Sequence, residues 1–437
     1  MTNNQILIKG ALPYGEDATD IAVADGKIVA LGKDAGDALV NPEIVNAEGL
    51  VALPGLVDLH THLREPGQED AETVYTGTRA GAAGGYTCVH AMANTNPVAD
   101  TAAIVEQVQT LGDAAGWLQV RPVGAVTVGL EGKQLSAMSA MATSKAKVRV
   151  FSDDGMCVSD PLLMRRALEY VKTFNGVIAQ HAQDPILTAG AQMNESALSA
   201  QLGLAGWPAV AEEAIIARDI SLAKHVDSRL HVCHVSTAGS VELIRWAKSK
   251  GIRVTAEVTP HHLFLTEEEA CSYDPLFKVN PPLRTFEDVE ALREGLADGT
   301  IDIVGTDHAP HPLEKKDCEW QAGAFGMTGL ETALPVVITT MVNSDRMSWR
   351  DVARVLSEAP AQIGQVAEQG HKIAVGSLAQ LTFVDPTVVR TVDPKTQWTK
   401  STNTPFIGHD LAGQVLYTMY NGQFTVREGQ PIAKENR

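Results

Sequence analysis

Two histidines one residue apart, His60 and His62, stand in the block Asp58-Leu59-His60-Thr61-His62. Residues i and i+2 of a strand share a face, so both rings can reach one ion at about 2.0–2.1 Å from a ring nitrogen. Such pairs also arise by chance, so the pair gains meaning only from its company. That company is Asp153 or Asp154, then His181, His234 and Asp307, each at the end of a separate short apolar run. Four histidines and two carboxylates exceed what one tetrahedral zinc can use. They suit two ions about 3.5–4 Å apart that share a bridging carboxylate and a bridging hydroxide.

Each of these side chains needs a rigid element behind it. Eight apolar runs end in polar or Gly-rich residues: GLVDLHTH, GYTCVHAMAN, LQVRPVGAV, KVRVFSDDG, GVIAQHAQD, RLHVCHVST, IRVTAEVTP and IDIVGTDHAPH. Between them, AETVYTGTRAGAAG, DPLLMRRALEYVKTF, EEAIIARDISLAKHV, SVELIRWAKSKG and FEDVEALREGLADG carry the i, i+3, i+4 apolar spacing of helices. Eight strand–helix units within about 255 residues predict an α/β fold of the (β/α)8 barrel type rather than an open, doubly wound sheet. All the candidates then lie at the C-terminal ends of strands, where barrel enzymes collect their catalytic groups. Alternation along the strands puts His234 on one face with Val232 and Leu230, and turns His231 and Cys233 toward the helices. By the same rule Asp307 shares a face with Ile303 and Gly305, and His308 takes the other. His90, His231, His261 and His262 read as structural histidines.

The flanks have a different texture. The first 55 residues and the far C-terminal stretch alternate short apolar runs with Gly, Pro and Asp turns, as β-meanders do. Three strands alone bury too little surface to stand by themselves, so the two ends are expected to meet. The expected division is a composite β-sandwich from 1–54 and 372–437, with the barrel over 55–371.

Composition narrows the class of molecule. With 437 residues, 44% apolar and 20% charged, the chain can bury a large core, and it has no run of about 18 apolar residues to span a membrane. Its 35 Lys+Arg against 53 Asp+Glu leave a formal charge of -18, repelled by phosphate backbones and anionic lipid. Nucleic acid and membrane surfaces are therefore not expected partners. Five scattered cysteines without a CxxC pair, and an N-terminus without a basic region followed by an apolar core, point to the cytoplasm.

The blocks DLHTHLREPGQED, AMANTNPV, FSDDG, QHAQD, HVCHVST, RVTAEVTPHHL, FKVNPPLR, GTDHAPH and AFGMTGLETALP occur in that order. Together they resemble the amidohydrolase superfamily, and most closely the bacterial type I dihydroorotases. The resemblance covers the barrel nearly end to end. It implies reversible, zinc-dependent cyclisation of N-carbamoyl-L-aspartate to L-dihydroorotate in pyrimidine biosynthesis. It further implies that His60, His62 and Asp307 hold one zinc and His181 and His234 the other. Asp154, the acid before Gly155, would bridge two Zn2+ per chain together with a hydroxide. In that scheme Asp307 is also the catalytic acid–base. Arg64, Asn94 and His311 would surround the substrate carboxylate, with Asn280 and the Phe325-Gly326 backbone near the ring, and His62 would contact substrate as well. A homodimer, open to association with an aspartate transcarbamoylase, is implied as well.

Rival readings are allantoinase, dihydropyrimidinase and a non-catalytic dihydroorotase-like subunit of a transcarbamoylase complex. Hydantoinase-type relatives bridge their metals with a carboxylated lysine. Here the nearest upstream lysine, Lys147, is seven residues before Asp154, roughly 23 Å along a strand. Arg64 suits a substrate carboxylate, which allantoin and dihydropyrimidines lack. A scaffold would be expected to lose ligands, and all six are present. Two positions depart from the family: Ala93 where Pro is usual, and Gln183 where an acid is usual. The loop from His311 to Phe325 reads either as a lid hinged at Gly323 and Gly326 or as a static rim.

Overall fold

In the computed structural model, residues 5–433 are described; residues 1–4 and 434–437, the outer ends of the two flanking segments, lie outside them. The N-terminal segment forms β1 (Ile6–Pro13), β2 (Thr19–Ala24), β3 (Lys27–Leu31), β4 (Glu43–Asn46) and β5 (Val51–Pro54). The barrel strands begin with β6 (Leu56–Thr61), β7 (Tyr86–Ala91), β8 (Gln119–Pro122), β9 (Val150–Phe151) and β10 (Val177–Gln180). A side pair, β11 (Met193–Asn194) and β12 (Gly206–Trp207), precedes β13 (Leu230–Val232), β14 (Val254–Val258) and β15 (Ile303–Val304). The chain ends in β16 (Leu381–Thr391), β17 (Asp410–Tyr420), β18 (Gln423–Arg427) and β19 (Gln430–Pro431).

All eight apolar runs form parallel barrel strands in the expected order. Two arcs, β6-β7-β8 and β9-β10-β13-β14-β15, make up the wall. Single parallel bridges, Gly124 to Phe151 and Thr61 to His308, join the arcs and close the ring. Helices at Val74–Ala83, Pro161–Val171, Val210–Val226, Ala238–Ser249 and Phe286–Ala297 cover it. Their starts follow local chemistry: the Thr73, Asp160, Thr237 and Thr285 side chains each accept a hydrogen bond from a first-turn N–H. Helix and strand residues share one large core that includes Val89, Phe151, Leu168, Ile216, Leu230, Val241, Ile244 and Leu292. A smaller cluster of Met92, Val123, Val150, Val177, Ala179 and Cys233 contains no helix residue and fills the barrel interior.

Both termini contribute to one sheet, ordered β19-β18-β17-β16-β5-β1-β2-β3 with β4 beside β1. The junction is β16 antiparallel to β5, and Ile6, Ile21, Val45, Leu381, Phe383, Met419 and Phe424 share its core. Because β5 leads directly into β6, this sheet anchors the strand that carries His60 and His62. Between β16 and β17 the chain reaches back across the barrel. Asn403 there donates to the carbonyls of Ala309 and Gly326, and its Oδ1 accepts from His311 N–H at 3.0 Å.

Candidate metal centre

β6 carries a register shift between Asp58 and Thr61 against β7; His60 lies within it and His62 just beyond it. Asp58 stabilises this bend by accepting from the His60 and Thr306 N–H groups. The rings of His60 and His62 both face Asp154 and Asp307. Asp154 Oδ1 lies 3.2 Å from His60 Nε2 and 3.4 Å from both His181 Nδ1 and His234 Nε2. Its Oδ2 is 3.3 Å from His62 Nε2. Asp307 Oδ1 lies 3.0 Å from His62 Nε2 and 3.5 Å from His60 Nε2. The six side chains thus form two groups that meet at Asp154: His60, His62 and Asp307 on one side, His181 and His234 on the other.

Asp153 does not join them. Its carboxylate accepts from Val126 N–H, Thr127 N–H and the Thr127 hydroxyl, and so ties down the loop after β8. Of the two aspartates in the FSDDG block, Asp154 is the one that stands among the histidines.

Alternation holds along β13, but with its faces exchanged, and it breaks at His234 just past the strand. Leu230 and Val232 pack among helix residues, whereas His231 and Cys233 point into the barrel, the reverse of the expectation. His234 nevertheless reaches the cluster, because its φ of 31° lies in the left-handed region and turns the chain at the strand end. Asp307, with φ 46°, makes a similar turn after β15. His231 is therefore not an outer structural residue; its Nε2 lies 3.1 Å from Glu257 Oε2, beneath the site. His90 and His262 do serve structure, bonded to the Asp58 and Pro281 carbonyls.

The histidine nitrogens facing away from the cluster are engaged. His60 Nδ1–H donates to Glu257 Oε1 at 2.5 Å, His62 Nδ1–H to Asn94 Oδ1 at 2.9 Å, and His181 Nε2–H to Gln183 Oε1 at 2.7 Å. These bonds set the tautomers of His60 and His62, leaving an unprotonated Nε2 of each aimed at the shared centre, while His181 Nδ1 and His234 Nε2 lie 2.8 Å apart and share one hydrogen bond. Burial by itself raises the pKa of Asp154, yet His60, His181 and His234 hold it well below the usual carboxylate range. Asp307, opposed in the same way by burial, is held at about 2 by His60 and His62.

A divalent cation fits this donor set. His60 Nε2 and Asp154 Oδ1 are buried, face each other, and have no hydrogen-bond partner. Buried polar atoms are ordinarily satisfied, and unprotonated imidazoles beside carboxylates are what zinc takes.

A cavity of about 260 Å³ opens over the cluster, and all seven residues singled out for substrate line it: His62, Arg64, Asn94, Asn280, His311, Phe325 and Gly326. It has room for a single-ring molecule, not a polymer. Arg64 Nε donates to the Pro310 carbonyl, which fixes the guanidinium at the cavity wall. His311 is neutral, its pKa pushed down to about 3 chiefly by burial and then by Arg64, and its Nε2–H is given to the Phe325 carbonyl. Asn94 and Asn280 also orient the centre, since Asn280 Nδ2 donates to the Gln183 oxygen that holds His181.

The loop from His311 to Phe325 is tied down. Lys316 Nζ, buried, donates to the carbonyls of Pro275, Lys278 and Ala324, and Lys278 Nζ to those of Trp320 and Gln321. The glycines serve close approach: a Cβ at Gly323 would lie 2.5 Å from Pro275, and one at Gly326 would lie 2.8 Å from His311 Nε2. A second cavity, of about 300 Å³, lies between the barrel and β16–β17 beside Glu331 and Trp398, and none of the metal-type clusters found among the described residues lines it.

Glu257, Gln183, Asn403 and Lys316 had no assigned role in the sequence. An acid within the apolar run of β14 was the one available signal, since parallel barrel strands are buried on both faces.

Residues 49–240 match the family model described as Dihydro-orotase-like. Along its length the chain is 62% identical, over 429 residues, to the dihydroorotase of Leifsonia xyli subsp. xyli, covering 98% of each chain. The chain belongs to the dihydroorotase family. Dihydroorotases of Streptomyces coelicolor and Mycobacterium tuberculosis are 60% and 52% identical, covering 98% and 97% of this chain and 99% of each relative. Among solved structures, the L-hydantoinase (dihydropyrimidinase) from Arthrobacter aurescens aligns with a TM-score of 0.86 at 25% identity, covering 99% of this chain and 98% of its own. A dihydropyrimidinase from Brevibacillus agri gives 0.82 at 23%, covering 98% and 96%, and shows the shared fold alone. With its family, the chain is a cyclic amidohydrolase with dihydroorotase function. Lys147 is exposed on the loop before β9, away from the place that Asp154 occupies. No helix among the described residues is long and apolar enough to cross a membrane.

Proposed function

We propose that this dihydroorotase works with two zinc ions, one held by His60, His62 and Asp307 and one by His181 and His234, with Asp154 between them. The observation that carries this reading is the meeting of both groups at one buried carboxylate beneath the cavity. Zinc there supplies Lewis acidity, which acidifies water and polarises a carbonyl. The chain's own residues do the rest. Asp307, ionised and at the cavity floor, takes the proton of the attacking water and delivers it to the ring nitrogen as the C–N bond breaks. In ring closure the ureido nitrogen attacks the side-chain carboxyl carbon. A C–N bond forms, a C–O bond breaks, and Asp307 carries the nitrogen's proton to the departing oxygen, which takes a second proton from solvent, because the side-chain carboxyl starts ionised, and leaves as water. Arg64 holds the carboxylate that does not react, and the Lys316-anchored loop shields the site from bulk water.

The reaction belongs in the cytoplasm on this reading, in keeping with five free cysteines. Homodimerisation and association with an aspartate transcarbamoylase are part of the proposal, carried by the family resemblance alone. Sedimentation with and without the transcarbamoylase tests both.

The deciding assay is absorbance-monitored hydrolysis of dihydroorotate beside allantoin and dihydrouracil, with bound zinc measured on the same protein. Dihydroorotate should be strongly preferred, with close to two zinc ions per chain. Arg64→Met should lose a charge-assisted contact of roughly 1.5–3 kcal/mol, about tenfold to a hundredfold in kcat/KM on dihydroorotate, with little change on dihydrouracil. Equal losses on both substrates would make Arg64 a support of the site rather than the reader of the carboxylate.

A further inference from the structure

The partners behind the histidines differ in charge. Glu257, on β14, is 1% exposed and lies in the barrel interior. Its Oε1 accepts from His60 Nδ1–H and, at 3.2 Å, from the backbone N–H of His234; its Oε2 accepts from His231 Nε2–H. One carboxylate therefore braces a ring from the first group and the backbone of the second. Behind His181 stands only the neutral amide of Gln183. Its orientation is fixed, because Nε2 donates to Thr188 Oγ1 at 2.8 Å and Oε1 accepts from Asn280 Nδ2 at 3.0 Å.

A carboxylate behind a ligating imidazole pulls on the outer N–H and makes the inner nitrogen a stronger donor, and loss of such a partner typically costs 10–100-fold in metal affinity. An amide oxygen pulls less. The burial of Glu257 enlarges the contrast, because a charge away from solvent is weakly screened.

We propose that Glu257 is a positioning residue that makes the subsite of His60, His62 and Asp307 the tight one, and that Gln183 leaves the subsite of His181 and His234 weaker and exchangeable. This rests on the metal-centre reading above. Glu257 acts through His60 and touches no substrate, and Gln183 acts through His181.

Chelator competition on the full zinc-loaded chain, with release followed by a zinc indicator dye, tests it. Wild type should lose zinc in two phases of unequal affinity, on the order of tenfold or more apart. Glu257→Gln, which can keep an oxygen for the His234 N–H, should weaken the tight phase 10–100-fold with a much smaller change in the weak one, and Gln183→Glu should tighten the weak phase about tenfold while sparing the tight one. A merely structural role would move both phases together with the melting temperature. Should Glu257→Gln fail to fold, Gln183→Glu still decides, and an unchanged weak phase in that variant overturns the proposal. Two equal phases in wild type also overturn it. Wild type that binds no zinc at all would instead bring down the metal-centre reading itself.

Discussion

Neighbouring aspartates in FSDDG have opposite duties. Asp154 sits among four histidines, so Asp154→Ala should remove zinc and activity together, because two cations at short range lose the anion that separates them. Asp153 makes three hydrogen bonds to Val126 and Thr127 and touches no histidine of the centre. Asp153→Ala should leave zinc bound and cost stability, on the order of 1–3 kcal/mol, from the donors it abandons. Elemental analysis beside a urea titration checks both. Zinc loss from the Asp153 variant and retention in the Asp154 variant would reverse the assignment.

At the scale of elements, the loop after β15 is held by lysines as well as by the packing of Trp320 against Met193, Leu204 and Ala270. Lys316 donates to three carbonyls drawn from two segments, which joins the loop to the stretch over 275–278. Lys316→Met keeps the length of the side chain and removes those donors. Hydrogen-exchange protection over 311–325 should fall by about tenfold to a hundredfold, since charge-assisted bonds of roughly 1.5–3 kcal/mol are lost. KM for dihydroorotate should rise, because His311 and Phe325 sit on this loop. Unchanged protection would mean that Asn403, which grips His311 from the far side, suffices to hold it.

For the molecule as a whole, the seam between barrel and C-terminal segment carries a pH-sensitive tie. Glu331 accepts from the N–H groups of Trp398 and Thr399. Burial chiefly raises its pKa from the ordinary 4.5 to about 7, against the pull of those two donors. A carboxyl raised in the fold keeps its proton there after the unfolded chain has released it. Its contribution to stability is therefore full below about 4.5 and is lost as pH rises through about 7. Glu331→Gln keeps an oxygen for the two N–H groups and removes the titration. Relative to wild type, the variant should gain stability between pH 5 and pH 8, on the order of 1 kcal/mol. Urea midpoints at the two pH values check this, and a difference independent of pH would show that Glu331 does not titrate in that window.

The eight strands, their order and the positions of His60, His62, His181, His234 and Asp307 at strand ends were legible in the chain. Apolar runs, helical spacing and caps are local properties, and the barrel follows from counting them. Resemblance then pointed to Asp154 over Asp153. The direction of a side chain beyond a strand end was not legible, since one residue at positive φ, His234 or Asp307, overrides the alternation that β-geometry supplies. Nor were the partners that give the centre its tautomers and its order. Glu257 meets His60 across 197 residues, and Asn403 meets Ala309 across 94. Such pairings exist only once the barrel has closed and the C-terminal segment has crossed it, so no local pattern encodes them. Chain chemistry determined what could bind and react here, and tertiary closure decided which buried group stands behind each ligand.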